Sequence, residues 1–193
     1  MSTASKIWNR LNEGVLGYVF YIFLGVAAAL IVTNLLGVAL DTSIPLVAVV
    51  SGSMDHAINI DGTPCGTQTS GYKESFDNWW TMCEHTYTGF GIDKTAFSGF
   101  PFRDGLKSGD IAVLQNGEGP AVGDIIVYNI PSQSVPIIHR VVQTNADGTL
   151  QTKGDHNPGQ NPYEPSIQES QVRGKVIFVI PYLGYLRVLL PIN

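Results

Sequence analysis

Residues 14–40 read GVLGYVFYIFLGVAAALIVTNLLGVAL, a run of 27 positions without a charged side chain. As a helix this run exceeds the length of about 20 residues that a bilayer core requires. A cleaved signal peptide has a much shorter apolar region, and a buried helix of a soluble domain rarely lacks charge over such a length. The run therefore predicts a retained transmembrane anchor over residues 14–40.

Charges on either side of this run predict its orientation. Lys6 and Arg10 precede it, whereas Asp41 and Asp55 follow it. By the positive-inside rule we expect residues 1–13 in the cytoplasm and an extracytoplasmic domain over residues 41–193. The net charge of −5 and the lack of a Lys/Arg cluster argue against nucleic acid as a partner.

The pattern beyond the anchor predicts a single, mainly β domain. Short apolar and β-branched runs alternate with turn residues, and no long helical pattern recurs. An Asp-Gly pair at residues 147–148 supports a hairpin between two of these runs. The predicted strands are residues 44–50, 110–114, 124–129, 137–143, 149–153 and 174–180.

Residues 55–104 differ from the rest of the domain in composition. They are rich in Gly, Ser, Thr and aromatic residues, with weak periodicity, and predict a loop-rich insertion. Cys65 and Cys83 lie within it, and outside the cytoplasm such a pair is typical of a disulfide. The alternative is a metal site formed by Cys65, Cys83 and His85, whose spacing fits no standard zinc pattern.

A serine, a histidine and an aspartate occur in three separate blocks that could carry nucleophilic catalysis. Ser53 follows the first predicted strand in the turn Ser51-Gly52-Ser53-Met54. A serine hydroxyl becomes a nucleophile only when a base removes its proton and a third group orients that base. The four histidines, each a candidate base, are His56, His85, His139 and His156.

His139 and Asp155 are each open to a structural reading as well. In an alternating strand His139 shares a face with Ile137 and Val141, where a core histidine bonded to a backbone carbonyl is common. Asp155 ends a predicted strand in Lys153-Gly154-Asp155, and a turn aspartate often caps backbone N–H groups.

The ordered set of blocks after the anchor resembles type I signal peptidases, in the archaeal and endoplasmic-reticulum branch that uses histidine where the bacterial branch uses lysine. The resemblance covers most of residues 44–187 apart from the insertion. The matching stretches are residues 51–54 (SGSM), 123–128 (GDIIVY), 138–141 (IHRV), 152–155 (TKGD) and 174–184.

This resemblance implies a membrane-anchored serine endopeptidase with a signal-peptidase-like β catalytic domain and without a metal or other cofactor. Ser53 would be the nucleophile, His139 the general base, and Asp155 the acid that orients His139. The Ser53 N–H and the Ser51 hydroxyl would hold the oxyanion. Its partners would be signal peptides of secreted preproteins, membrane lipid and the protein translocation channel, and the archaeal cell membrane is the expected location.

The chain departs from the family pattern at two places. Family members commonly continue the Ser-Met block with an acidic residue and proline, whereas this chain has Asp55-His56. A second aspartate usually follows the first by about six residues, and Asn161 stands there. Three alternatives follow. Asp155 is the acid that accompanies Ser53 and His139, which is what we expect; Glu164 takes that role instead; or activity is impaired. The alternative function is a catalytically silent, membrane-anchored β-module that binds signal sequences or partner subunits.

Overall fold

The computed structural model describes residues 14–58, 65, 72–73, 75–116 and 119–185. It divides into two compact units, residues 1–39 and 40–193. The expectation of a cytoplasmic segment over residues 1–13 lies outside the described residues.

The first unit contains helix α1, Gly14–Ala39. Residues Gly17–Ala39 are long and apolar enough to cross a membrane, judged by length and composition. Their large side chains are exposed, as Tyr18, Phe23 and Leu35 illustrate. Because a soluble unit would bury such side chains, these observations support the expected anchor.

The second unit is built on one antiparallel sheet of six strands in the order β1-β4-β8-β5-β6-β7. This confirms the predicted mainly β fold. The strands are β1 Leu46–Ala48, β4 Ile111–Gln115, β5 Ile125–Tyr128, β6 Ile137–Thr144, β7 Leu150–Lys153 and β8 Val172–Ile180. A two-stranded sheet pairs β2 Ala57–Ile58 with β3 Tyr72–Lys73.

Strand β6 is buried on both faces over its first six residues. Ile138 packs into the core between the strands, whereas Val141 belongs to a second cluster on the opposite face. Val142 is covered by the aromatic side chains of the inserted segment, residues 55–104. A strand buried on both faces holds its side chains rigidly, which suits the placement of His139 and Arg140.

The inserted segment contains two short helices, where the sequence predicted mainly loop. Helix α2 is Phe76–Cys83, and its N-cap Ser75 accepts a hydrogen bond from the Asn78 N–H. Helix α3 is Lys94–Ser98, and Asp93 caps it in the same way through the Ala96 N–H. Helices of this length are unstable alone, so tertiary packing must stabilise them.

That packing is aromatic. Trp79, Trp80, Tyr87 and Phe97 are buried together, and the ring centroids of Tyr87 and Phe97 lie 4.9 Å apart. A disulfide joins Cys65 to Cys83 at the end of α2. Because these cysteine sulfurs bond to each other, they cannot act as the thiolate ligands of the alternative metal site with His85.

We expect reduction of the Cys65–Cys83 disulfide to destabilise the domain by about 3 kcal/mol, because the bond restricts the unfolded chain. Thermal unfolding of the detergent-solubilised protein, with and without reductant, measures the change. The Cys65→Ser/Cys83→Ser variant provides the control, since its melting temperature should be low in both conditions. Equal melting temperatures for the oxidised and reduced forms of the unmodified chain would contradict the prediction.

Candidate active site

Ser53 lies in the turn that follows β1 and is 7% exposed. Its Oγ is 3.0 Å from Nε2 of His139 and 3.1 Å from Oγ of Ser51. The Ser53 N–H has no acceptor among the residues that the structure describes. A hydroxyl within reach of an imidazole nitrogen, beside a free N–H, is the arrangement of an activated serine nucleophile.

His139 projects from β6, where its neighbour across the ladder is Ile126 of β5. The ring is buried and bridges two groups: Nε2 contacts Ser53, and Nδ1 makes a short hydrogen bond with Oε1 of Glu164. With Nδ1–H donating to the carboxylate, Nε2 presents its lone pair to the serine hydroxyl. This tautomer is the one that a general base requires.

Glu164 is fully buried and is held by the segment that precedes it. Both the backbone N–H and the side-chain amide of Asn161 donate to its Oε2, the latter at 3.0 Å. The Thr152 N–H donates to the Glu164 carbonyl at 3.0 Å and ties the loop to β7. Asn161 therefore orients the carboxylate that contacts His139.

Asp155 does not contact His139, which corrects the expectation that it orients the base. Its carboxylate instead binds Arg140, with Nε to Oδ1 at 2.9 Å and Nη2 to Oδ2 at 2.7 Å. The physical reason is strand alternation: Arg140 and His139 are consecutive on β6 and point to opposite faces. The two carboxylates thus have different partners, Glu164 with His139 and Asp155 with Arg140.

The Arg140–Asp155 pair is completely buried. Burial alone would raise the pKa of Asp155, but the Arg140 charge and hydrogen bonds from His56 and Arg140 hold it well below its usual range. Two further donors complete the hydrogen bonding of the Asp155 carboxylate: His56 Nε2 at 3.0 Å and Tyr87 Oη at 2.9 Å. Hydrogen bonds from Arg140, His56 and Tyr87 thus compensate an anion that has lost its water.

The backbone of the Gly154–His156 turn packs directly against Ser53 and His139. The His156 N–H donates to the Ser53 carbonyl at 2.8 Å. A Cβ at Gly154 would lie 2.8 Å from both His139 Nε2 and the Ser53 carbonyl oxygen, so no larger residue fits without movement. The turn therefore sets the positions of both Ser53 and His139.

Lys153 is fully buried at the end of β7, beside the same turn. Its Nζ donates to the Gly154 carbonyl at 2.9 Å and lies 4.4 Å from the Tyr87 ring centroid. Burial lowers the pKa of Lys153 from 10.5 to about 8, although the charges of Asp155 and Glu164 oppose that change.

A groove of about 760 Å³ opens onto Ser53 and His139. Val47 and Val50 lie along one side, and Val135 and Ile137 contribute further apolar surface. The lining is mixed: these aliphatic side chains lie among polar ones, which include Asn161 and Gln160. Such a groove suits an extended peptide with small apolar side chains.

The remaining candidate bases have other hydrogen-bond partners or are exposed. His85 is exposed in the inserted segment, and His156 Nδ1 hydrogen bonds with the Asp55 carbonyl. His56 is buried against Asp155 and stacked on Trp79, with ring centroids 3.6 Å apart. Its partnership with Asp155 had no signal in the sequence, because residues 99 positions apart must meet for it to form.

We expect the fold to gain stability as the pH rises from about 8 to about 9.5, and we attribute the gain to Lys153. The unfolded chain binds this proton more tightly, since the pKa of Lys153 is about 8 in the fold and 10.5 ordinarily. Between the two pKa values each pH unit contributes about 1.4 kcal/mol, so the gain from pH 8 to pH 9.5 is about 2 kcal/mol and is lost as the pH falls back to about 8. Burial raises the pKa of Tyr87, so stability should fall again above about pH 10.

Denaturant unfolding across this pH range measures the effect. Lys153→Met should remove most of the rise, whereas Lys94→Met, at a half-exposed lysine paired with Asp77, should keep it. An identical rise in the unmodified chain and in Lys153→Met would contradict the assignment.

Comparison with known proteins identifies a set of similar fungal sequences. No protein-family model matches the chain. The signal peptidase complex catalytic subunit SEC11 of Leptosphaeria maculans is 38% identical over 99 residues, which is 46% of this chain and 57% of that protein. SEC11 of Yarrowia lipolytica is 36% identical over 99 residues, with 45% and 56% covered. SEC11 of Metarhizium acridum is 33% identical over 96 residues, with 44% and 56% covered.

The chain spans a little over half the length of these curated relatives. They are fungal proteins and give no support to the expected archaeal membrane. The resemblance to signal peptidases that the sequence motifs predicted is nevertheless confirmed: over a little under half of its length, the chain is homologous to proteins named as signal peptidase complex catalytic subunits.

Proposed function

We propose that this chain is a membrane-anchored serine endopeptidase that removes signal peptides from preproteins. The observation that carries the proposal is the buried relay in which Ser53 Oγ lies 3.0 Å from His139 Nε2 while His139 Nδ1 bonds to Glu164. Similarity to proteins named as signal peptidase catalytic subunits supports the choice of substrate.

In the proposed first half-reaction, Ser53 Oγ attacks the scissile carbonyl carbon while His139 Nε2 takes the hydroxyl proton. The Glu164 carboxylate stabilises the resulting imidazolium through its bond to Nδ1. The Ser53 N–H and the Ser51 hydroxyl donate to the oxyanion of the tetrahedral intermediate. Collapse breaks the peptide bond, and His139 returns its proton to the leaving amine of the mature protein.

In the second half-reaction water attacks the acyl–Ser53 ester. His139 accepts a proton from this water, the second tetrahedral intermediate collapses, and the proton returns to Ser53 Oγ as the signal peptide leaves with a free carboxylate. The same residues thus serve both steps, as in other serine peptidases.

The anchor and the groove account for substrate choice in this proposal. Helix α1 would hold the enzyme at the membrane where signal peptides arrive, so that the encounter is confined to a surface. Residues 1–13 would be cytoplasmic and the β domain extracytoplasmic. The aliphatic part of the groove would accept the small residues that precede a cleavage site. Since relatives are named as subunits of a complex, we also propose that this chain acts with partner subunits.

We expect Ser53→Ala to abolish cleavage of a model preprotein by the liposome-reconstituted chain, because the attacking oxygen is lost. Gel analysis of the processed product, with mass spectrometry of the cut site, measures the outcome. Ser166→Ala, at an exposed serine away from His139, is the matched control and should retain full activity. Equal, negligible turnover by folded unmodified and Ser53→Ala proteins would instead favour the catalytically silent β-module.

A second prediction concerns which acid serves His139. We expect Glu164→Gln to lower kcat by about 10²- to 10⁴-fold, because a neutral amide does not offset the imidazolium charge. Glu169→Gln, at an exposed glutamate of the same loop region, should leave kcat unchanged. Steady-state cleavage of a fluorogenic signal-sequence peptide gives both values.

Asn161→Asp sharpens this test, because the family pattern and the observed geometry predict opposite results. The aspartate of the family pattern should raise activity if residue 161 were the acid that serves His139. We expect activity to fall, since the new carboxylate would replace an amide that donates to Glu164 Oε2. A gain in kcat would refute the role of Glu164.

A further inference from the structure

The inserted segment supplies two hydrogen-bond donors to one buried carboxylate of the β domain, that of Asp155. Tyr87 Oη donates to Oδ1 at 2.9 Å, and His56 Nε2 bonds to Oδ2 at 3.0 Å. Both donors belong to residues 55–104, and both are buried. Burial lowers the pKa of His56, despite its hydrogen bond to Asp155, so the neutral ring donates through Nε2–H.

The Arg140 side of the ion pair is also enclosed by the inserted segment. Its Nη1 donates to the Pro101 carbonyl at 2.8 Å and its Nη2 to the Phe102 carbonyl at 3.0 Å. The guanidinium carbon lies 4.9 Å from the ring centroid of Phe97. The inserted segment therefore supplies donors to the anion and acceptors to the cation, and it removes both from water.

The rings that carry these contacts are themselves fixed. His56 is stacked on Trp79 with an interplanar angle of 4°, and Tyr87 packs edge-on against Phe97. Trp80 packs on Tyr87 at 5.7 Å but makes no hydrogen bond to Asp155. Rigid aromatic packing of this kind limits the rotamers available to His56 and Tyr87.

Asp155 transmits its position to the catalytic pair through the backbone on either side of it. Gly154 lies against His139 Nε2, and the His156 N–H holds the Ser53 carbonyl. Any movement of the Asp155 side chain would therefore shift the contact between Ser53 and His139. A displacement of about 1 Å at a reacting pair can lower a rate 10²-fold.

We propose that His56 and Tyr87 are positioning residues, through which the inserted segment fixes the Gly154–His156 turn and so aligns Ser53 with His139. The proposal rests on the proposed peptidase function. It also accounts for His56 where the family pattern has proline: a proline has no side-chain donor, whereas His56 uses one to bind Asp155.

The test compares variants that remove a donor to Asp155 with one that disturbs only the packing. Tyr87→Phe and His56→Leu should each lower kcat about 10- to 100-fold with KM nearly unchanged, because the groove does not include either side chain. His56→Gln, whose amide can donate to Asp155, should recover part of the loss. Trp80→Phe should keep kcat when assayed at a temperature where it is as fully folded as Tyr87→Phe.

A readout that does not require turnover distinguishes failure of this proposal from failure of the peptidase assignment. The hydrogen-bonded Nδ1–H proton of His139, assigned by its loss in His139→Gln, should shift in the NMR spectra of Tyr87→Phe and His56→Leu but not in Trp80→Phe. If the unmodified chain does not cleave preproteins, the peptidase assignment fails and the NMR shifts still decide the positioning role. Unchanged kcat and an unchanged Nδ1–H resonance in both donor variants, or equal changes in Trp80→Phe, would overturn the proposal.

Discussion

The buried pair between Arg140 and Asp155 is the interaction on which the rest of the site depends. Both side chains are fully buried, and an ion pair in such a position stabilises a fold only if its other hydrogen-bonding groups are satisfied. Here the hydrogen-bond partners of the pair come from the sheet, from the turn at Gly123 that precedes β5, and from the inserted segment. The pair therefore ties these elements together in the arrangement in which Ser53 meets His139.

This constraint also explains why the two buried carboxylates have different partners. Asp155 is bound by an arginine that is always charged, so it cannot also serve the imidazole on the other face of β6. Glu164 is held by Asn161 through neutral amide donors, which leave its second oxygen for His139. An asparagine at residue 161 thus supports the acid from a neighbouring position.

The sequence predicted the sheet and the Ser53–His139 pair better than the acid that completes the relay. Apolar alternation located each main strand within a few residues, and β6 follows directly from its pattern. Alternation also puts Arg140 and His139 on opposite faces of β6. Which of these two faces Asp155 lies against depends on the turn at Gly154, whose sequence has no periodic pattern. Glu164 lies in an irregular loop with prolines on either side, where spacing gives no register. The helices of the inserted segment were missed because they depend on Trp79, Tyr87 and Phe97 meeting in three dimensions.

The balance of buried charges connects this packing with the proposed chemistry. Two cations, Arg140 and Lys153, and two anions, Asp155 and Glu164, are fully buried close to the Gly154–His156 turn. These four charges cancel, so together they place no net charge in the low-dielectric interior beside the His139 ring. In the proposed reaction, proton transfer from Ser53 would create an imidazolium and an anionic substrate oxygen together, which would keep the sum at zero. In that proposal the new cation would face Glu164 and the new anion would face the Ser53 N–H and Ser51. Each charge would then form beside an existing partner, and little reorganisation would be needed.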